Sequence, residues 1–186
     1  MNHSGTAGRS PSGAAEDPRM PRPPTKWIGE VFARLELPLL SYARRQLGSN
    51  QAAAGDVVQE AFVRLCQQRW PEIESHATAW LYRTCRNRAI DLNRREGRMN
   101  STTSDTDVST LHDRSRQPPE TLERDEQLSI LRSHLTQLSD RQQEVLRLRL
   151  HDNLSYKQIA EIMGLTSTNV GFILHQAIAT LRAGLS

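Results

Sequence analysis

Between Ser155 and Arg182 the chain carries a pattern that admits few folds: a capped short helix, a glycine, then a longer helix with one apolar stripe. Ser155 and Gln158 stand three apart, so the hydroxyl can accept from the third amide of a helix while the Gln side chain returns to the cap's own N–H. Ile159, Ala160 and Met163 are predicted to face inward, and the small Ala160 lets two helices cross closely. Gly164 supplies a left-handed turn, Leu165 plugs the core, and Thr166 or Ser167 opens the next helix. In that helix Val170, Leu174, Ala177 and Leu181 recur at i, i+4, i+7 and i+11, the spacing of a core-facing stripe. A purely structural hairpin is the plainer alternative. The two caps, the glycine turn and the small-residue crossing together favour a helix-turn-helix whose second helix presents its outward face to DNA.

The same capping spacing recurs at Ser139 and Gln142, ahead of Val145, Leu146, Leu148 and Leu150, with His151, Asp152 and Asn153 as the following turn. Upstream, Glu120 to Leu135 reads as a charged helix with Leu122, Leu128, Ile130, Leu131 and Leu135 as core contacts. The first half is also helical. Ile28, Val31, Phe32 and Leu35 are spaced three and four apart, Pro38 kinks or restarts the helix, and Leu39, Tyr42, Ala43 and Leu47 continue it to Gly48. A second helix, Gln51 to Arg69, places Val58, Phe62 and Leu65 on one stripe and Asp56, Gln59, Glu60 and Arg64 largely off it. Pro71 breaks the chain, and a polar segment from Glu72 to Thr78 leads into a third helix, Ala79 to Gly97.

No segment alternates with the two-residue period of a strand, so the expected fold is all-α: two small helical domains joined by a flexible linker, the C-terminal one containing the helix-turn-helix. The boundaries read as a disordered tail over 1–25, a first domain over 26–98, a linker rich in Ser, Thr, Asp, Arg and Pro over 99–119, and a second domain over 120–186. Met20 is an alternative start to Met1.

Aromatics are only 5% of the 186 residues, too few for a sheet sandwich or a deep ligand pocket. The net charge of +3 decides nothing by itself, so position must. No apolar run reaches the roughly 18 residues a membrane helix needs, and a cytoplasmic protein without membrane insertion is expected. Cys66 and Cys85 fall inside helical patterns and read as reduced packing residues. No metal-ligand spacing, phosphate-binding loop or nucleophile motif occurs, so no metal, cofactor or catalytic residue is expected, and the chain is not expected to be an enzyme.

The third helix concentrates Arg83, Arg86, Arg88, Arg94, Arg95 and Arg98 against only Asp91 and Glu96, with Trp80, Tyr82 and Asn87 interleaved. Arginines neutralise phosphates, while aromatic and amide groups stack on or hydrogen-bond to unpaired bases, so this mixture fits strand opening. Trp80 stays open between base contact and core packing.

Two motif blocks carry a family resemblance. Leu138-Ser-Asp-Arg-Gln-Gln-Glu-Val-Leu, Leu154-Ser-Tyr-Lys-Gln-Ile-Ala-Glu-Ile-Met-Gly-Leu, Leu174-His-Gln-Ala and Leu181-Arg182 resemble the promoter-binding region four of bacterial sigma factors. Asp56-Val-Val-Gln-Glu-Ala-Phe-Val-Arg-Leu and Ala79-Trp-Leu-Tyr-Arg-Thr-Cys-Arg-Asn-Arg-Ala-Ile-Asp-Leu resemble region two. In this order, separated by a linker alone, they look like the minimal extracytoplasmic-function (ECF) group.

That resemblance implies a factor that binds core RNA polymerase and directs promoter-specific initiation by recognising and melting promoter DNA. Asp56, Gln59 and Glu60 would contact the β′ clamp helices, with the β subunit as a further partner. The third helix, through Trp80, Tyr82, Arg83, Arg86, Asn87, Arg94 and Arg95, and the loop from Pro71 to Thr78 would recognise and melt the minus-ten element, with one base flipped out. Asp105, Asp107, Asp113, Glu120 and Glu123 either mimic nucleic acid inside the polymerase or belong to a solvated tether.

The reading helix departs from the family. Gly171, Phe172 and Ile173 stand where Lys, Ser and Arg are common, and Gln176, Ile178 and Ala179 replace further basic residues. The remaining minus-thirty-five readers are Thr168, Asn169, His175 and Gln176, with Phe172 for thymine methyls and Lys157 among the phosphate contacts. Either this contact is weak and apolar, with Phe172, Ile173 and Ile178 partly serving a protein partner such as an anti-sigma factor, or the helix rotates and these side chains fold inward.

Overall fold

The structure, a computed structural model, describes residues 21–100 and 135–185. The expected tail up to residue 20, the linker beyond residue 100 and the charged helix from Glu120 up to residue 134 lie outside the described residues. Among the described residues there is no strand.

Helix α1 spans Thr25–Leu47 and buries Val31, Leu35, Leu39, Tyr42, Ala43 and Leu47. Pro38 sits inside it without interrupting it. The missing N–H costs one helical hydrogen bond, and Leu35, Leu39 and Tyr42, packed on either side, hold the helix through that point. Gly48, at φ 56°, turns the chain into a 3-10 segment, Gly48–Ala53. Helix α2 is therefore shorter than the sequence suggests. It spans Ala54–Cys66, because Asn50 is non-helical and the amides of Gln67 and Gln68 close turns on the carbonyls of Arg64 and Leu65.

Ile73 is 3% exposed and plugs the segment before α3 into the core, so the polar stretch read from Glu72 to Thr78 is pinned at its centre. Trp70 meets Trp27 edge to face at 5.0 Å beside it. Helix α3 spans Ala77–Asn100 and packs against α1 and α2.

The second unit holds α4 (Asp140–Leu150), α5 (Tyr156–Met163) and α6 (Ser167–Leu185). Both expected capping boxes are present, Ser139 with Gln142 and Ser155 with Gln158. Gly164 is left-handed at φ 65°, and the Leu165 amide returns to the Ala160 carbonyl. Thr166 caps α6, its hydroxyl accepting from the Asn169 amide at 3.2 Å. Ile159, Ala160 and Ile162 are buried in α5, while Met163, expected inward, is half-buried: the helix is rotated so that Ile162 takes the core position.

The two units do not stand apart. Helix α5 lies along α3, and the buried residues of both units form one continuous apolar cluster. Each unit has only a thin core of its own, and burying the remaining apolar surface of one against the other is the favourable closure.

Candidate nucleic-acid and polymerase interface

On α2, Asp56, Gln59 and Glu60 sit at i, i+3 and i+4, one outward edge of the helix. Asp56 and Gln59 are exposed. Asp56 lies in the first turn, where the helix dipole favours a carboxylate. Glu60 is held more firmly: it pairs with Arg64 at 2.5 Å through one oxygen and with Arg88 of α3 at 2.8 Å through the other. The edge is thus a carboxylate-and-amide strip with one member fixed and two open to solvent.

The seven residues expected on the minus-ten surface of α3 divide into two groups. Asn87, Arg94 and Arg95 are exposed and Arg83 is half-buried, and among the described residues no ion pair engages these three arginines. The side chain of Arg98 is outside the described residues. Tyr82, by contrast, is 1% exposed, its ring 5.0 Å from that of Tyr42. Arg86 is turned onto Glu144 of α4, and Trp80 packs half-buried against the core.

The readers expected on α6 gather in one place. Thr168, Asn169, Phe172, His175 and Gln176 follow i, i+1, i+4, i+7 and i+8, and all are exposed, opposite the buried Val170, Ile173, Leu174 and Ala177. Of the three apolar residues in question, Ile173 folds inward at 8% exposed, while Phe172 at 60% and Ile178 at 38% point outward. Lys157 is exposed at the start of α5. Beside it the Tyr156 ring lies 5.6 Å from the Arg149 guanidinium and fills the space over Gly171, where a Cβ would meet it at 3.5 Å. Arg149 also donates to the Leu154 carbonyl, so it braces the α4–α5 turn.

A third cluster was not anticipated from the sequence. Glu144 enters a polar pocket on the first unit. Its Oε1 accepts from the Tyr42 hydroxyl at 2.7 Å, Gln46 Nε2 at 2.9 Å and Arg86 Nε at 2.9 Å, and its Oε2 from Arg86 Nη2 at 3.2 Å. Nearby, the Asp152 side chain is 1% exposed, 3.7 Å from Arg45 and 3.0 Å from His151 Nδ1.

The ionisation of these groups follows from burial and partners. Burial and then the Glu144 carboxylate push the Tyr42 hydroxyl well above its ordinary value; burial and then Asp152 do the same to Tyr82. Burial works against the charge of Arg86, but its hydrogen bonds to Glu144 and the carboxylate's charge outweigh it and hold the guanidinium above its ordinary value. Cys66, read as a packing residue, is exposed; Cys85 is buried as expected. The difference is positional, since Cys66 ends α2 on its outer side while Cys85 lies among the core residues of α3.

The two helical units thus carry an arginine-bearing flank on α3 and a capped helix-turn-helix whose outward stripe is mostly uncharged. Residues 31–99 match Sigma-70 region 2, and residues 134–183 match Sigma-70, region 4. The chain belongs to the sigma-70 family. Among its relatives, this sigma factor is 27% identical over 161 residues to the RNA polymerase sigma factor YlaC of Bacillus subtilis (strain 168), covering 86% of this chain and 92% of that protein. It is 28% identical over 130 residues to the ECF RNA polymerase sigma factor SigM of the same organism, covering 70% and 78%. A solved structure of the sigma factor RpoE in complex with the anti-sigma factor NepR from Bartonella quintana matches with a TM-score of 0.62 at 21% identity, over 87% of this chain and 98% of that one, a likeness of fold. The sigma factor is of the ECF kind, region two followed by region four, and it directs promoter-specific initiation together with core RNA polymerase. Among the described residues, no helix is long and apolar enough to cross a membrane.

Proposed function

We propose that the work is divided among three surfaces, in the cytoplasm and without catalysis by this chain. The α2 edge bearing Asp56, Gln59 and Glu60 docks on the β′ clamp helices of core polymerase, where a carboxylate and amide strip suits a basic partner. The arginine flank of α3, with Arg83, Arg94 and Arg95 on phosphates and Asn87 on bases, engages the minus-ten element; Tyr82 and Arg86 join it only when α4 and α5 move away. The outward stripe of α6 reads the minus-thirty-five element with Lys157 on the backbone.

The observation that carries this reading is that the α2 edge and the arginine flank are both open on one compact unit. With Phe172 60% exposed among uncharged neighbours, the α6 contact is expected to be mainly with thymine methyls and only weakly dependent on salt. The same exposed Phe172 and Ile178 suit a protein partner, an anti-sigma factor being one.

Replacing Asp56 and Gln59 together by alanine is expected to weaken binding to purified core polymerase by about tenfold. Far-UV circular dichroism should not change, because both side chains are exposed. Unaltered affinity for core would refute the docking assignment.

A further inference from the structure

We infer that the proline-rich residues 21–24 and Trp27 form a positioning strap: they fix the loop before α3 from the far end of region two, and so preset the loop for the unpaired minus-ten strand. This rests on the proposed engagement of the minus-ten element by α3. The strap itself touches no DNA; it acts through Trp70.

The strap is stiff by construction. The rings of Pro21, Pro23 and Pro24 fix their own φ, and Arg22 and Pro23, each followed by a proline, are confined to extended backbone. Pro24 is extended at φ -61° and ψ 137°, and its carbonyl accepts from the Ile28 amide at 3.0 Å, the first helical bond of α1. An extended run rooted in a helix end needs little further ordering to lie in one place.

That place is against the loop. Helix α2 ends at Cys66, and the Trp70 amide, beyond its last turn, donates to the Pro21 carbonyl at 2.9 Å. Within the first turn of α1, the Trp27 ring meets the Trp70 ring edge to face at 5.0 Å. Both contacts converge on Trp70. Onward from it the chain is tightly wound: the amides of Ile73, Glu74 and His76 return to the carbonyls of Arg69, Pro71 and Ile73 at 3.1, 3.0 and 3.2 Å. Buried Ile73 is the inner anchor and Trp70 the outer one, with Glu74 and Ser75 as an exposed crest before the half-buried His76. The His76 carbonyl then accepts the Trp80 amide at 2.9 Å, so the shape of the loop passes directly into α3.

Drawing a base from the stack is costly, and a capturing loop offsets that cost only by what ordering the loop itself does not take. A crest fixed before DNA arrives loses little on capture. Loosening the outer anchor leaves the α2 edge and the arginine flank where they are. The strap therefore governs strand opening and not docking on core.

The test keeps the full chain. Pro21, Pro23 and Pro24 are replaced together by glycine, which retains Arg22 and the length, and glycine at the N-cap still permits α1 to start. Amide hydrogen exchange followed by NMR is expected to be about tenfold faster at Trp70, Ile73, Glu74 and His76 than in the native chain, with amides inside α2 and α3 unchanged. Trp27→Ala should act in the same way, and Trp27→Phe, which keeps an aromatic edge, should restore protection. The glycine variant alters only exposed or half-buried positions ahead of α1, so it gives the answer even if Trp27→Ala does not fold.

Each chain is then assembled with core polymerase on a fragment where the native holoenzyme starts transcription. Permanganate reactivity of thymines reads unpaired strand, and a gel shift reads occupancy. At equal occupancy the glycine and Trp27→Ala chains are expected to give about tenfold fewer open complexes, Trp27→Phe close to the native number, and all three unchanged affinity for core. Slow exchange at Trp70 in the glycine variant overturns the strap. So do native levels of open complex once exchange has quickened, or a Trp27→Phe chain as defective as Trp27→Ala. An Arg83→Ala/Arg94→Ala/Arg95→Ala chain run alongside separates the two readings: native occupancy there marks failure of the minus-ten assignment, whereas lost occupancy there with normal opening in the glycine variant marks failure of the strap alone.

Discussion

A chain in which Arg83, Arg94 and Arg95 are replaced by alanine, assembled with core polymerase, is expected to bind promoter DNA about a hundredfold less tightly near physiological salt. Each arginine that neutralises a phosphate releases condensed counterion, and log affinity falls against log salt by about 0.9 per contact. Removing three such contacts should therefore flatten the slope by nearly three. The expectation is specific to these three because no ion pair engages them among the described residues, whereas Arg88 is held by Glu60 and Arg86 by Glu144. Arg88→Ala is the control: it should disturb the α2–α3 contact and change the slope little. The measurement is a salt titration of holoenzyme binding, and an unchanged slope in the triple variant would show that this flank does not touch the duplex.

The second large effect concerns the cysteines. Burial pushes the Cys85 thiol up to about 12, where its thiolate fraction at pH 8 is on the order of one in ten thousand. An ordinary exposed thiol has roughly a thousandfold more thiolate at that pH. Maleimide should modify Cys66 within minutes and leave Cys85 intact until the protein unfolds. Mass spectrometry of the labelled peptides reads this directly; equal labelling in the native protein would mean that α3 is not packed as described. The contrast also makes Cys66 a usable native attachment point, with no need to remove Cys85.

The parts of the fold that were legible in the sequence are those whose causes are local. Ser155 and Gln158 make their capping box across three residues, and Gly164 closes α5 with an amide five residues on. The stripe from Val170 to Ala177 needs nothing beyond helical period, but it left open whether Phe172, Ile173 and Ile178 point outward or fold inward, and the packing divides them, with Ile173 inside and Phe172 and Ile178 outside. The length of α2 was less legible, because a 3-10 segment and an α-helix share almost the same apolar spacing over one turn. Ile73, a single apolar residue in a polar stretch, gave no periodic signal although it anchors the segment before α3.

The contacts that Glu144 and Asp152 make with the first unit were invisible for a different reason. Glu144 receives hydrogen bonds from residues 102, 98 and 58 positions away, and nothing near it in the chain distinguishes it from a solvated glutamate on a short helix. Asp152 looked like a turn residue, which it is, and its carboxylate is nonetheless buried. Tyr82 and Arg86 carry chemistry that suits an unpaired base and a phosphate equally as well as a carboxylate, so composition alone could not say which they meet. For the polymerase edge, spacing placed Asp56, Gln59 and Glu60 on one side of α2, but the double pairing of Glu60 depends on Arg88, which only the packing of α3 brings near.

The continuous apolar cluster has a consequence for how the molecule comes apart. All three tryptophans, Trp27, Trp70 and Trp80, lie in region two, so intrinsic fluorescence reports that unit alone, whereas circular dichroism reports the helices of both. Two thinly cored units that share buried surface lose support together, which makes the melting of one unit cooperative with the other: the two optical signals should trace a single transition in urea. Once the units are parted, each keeps only its own modest core, and the tryptophan curve becomes a private record of region two.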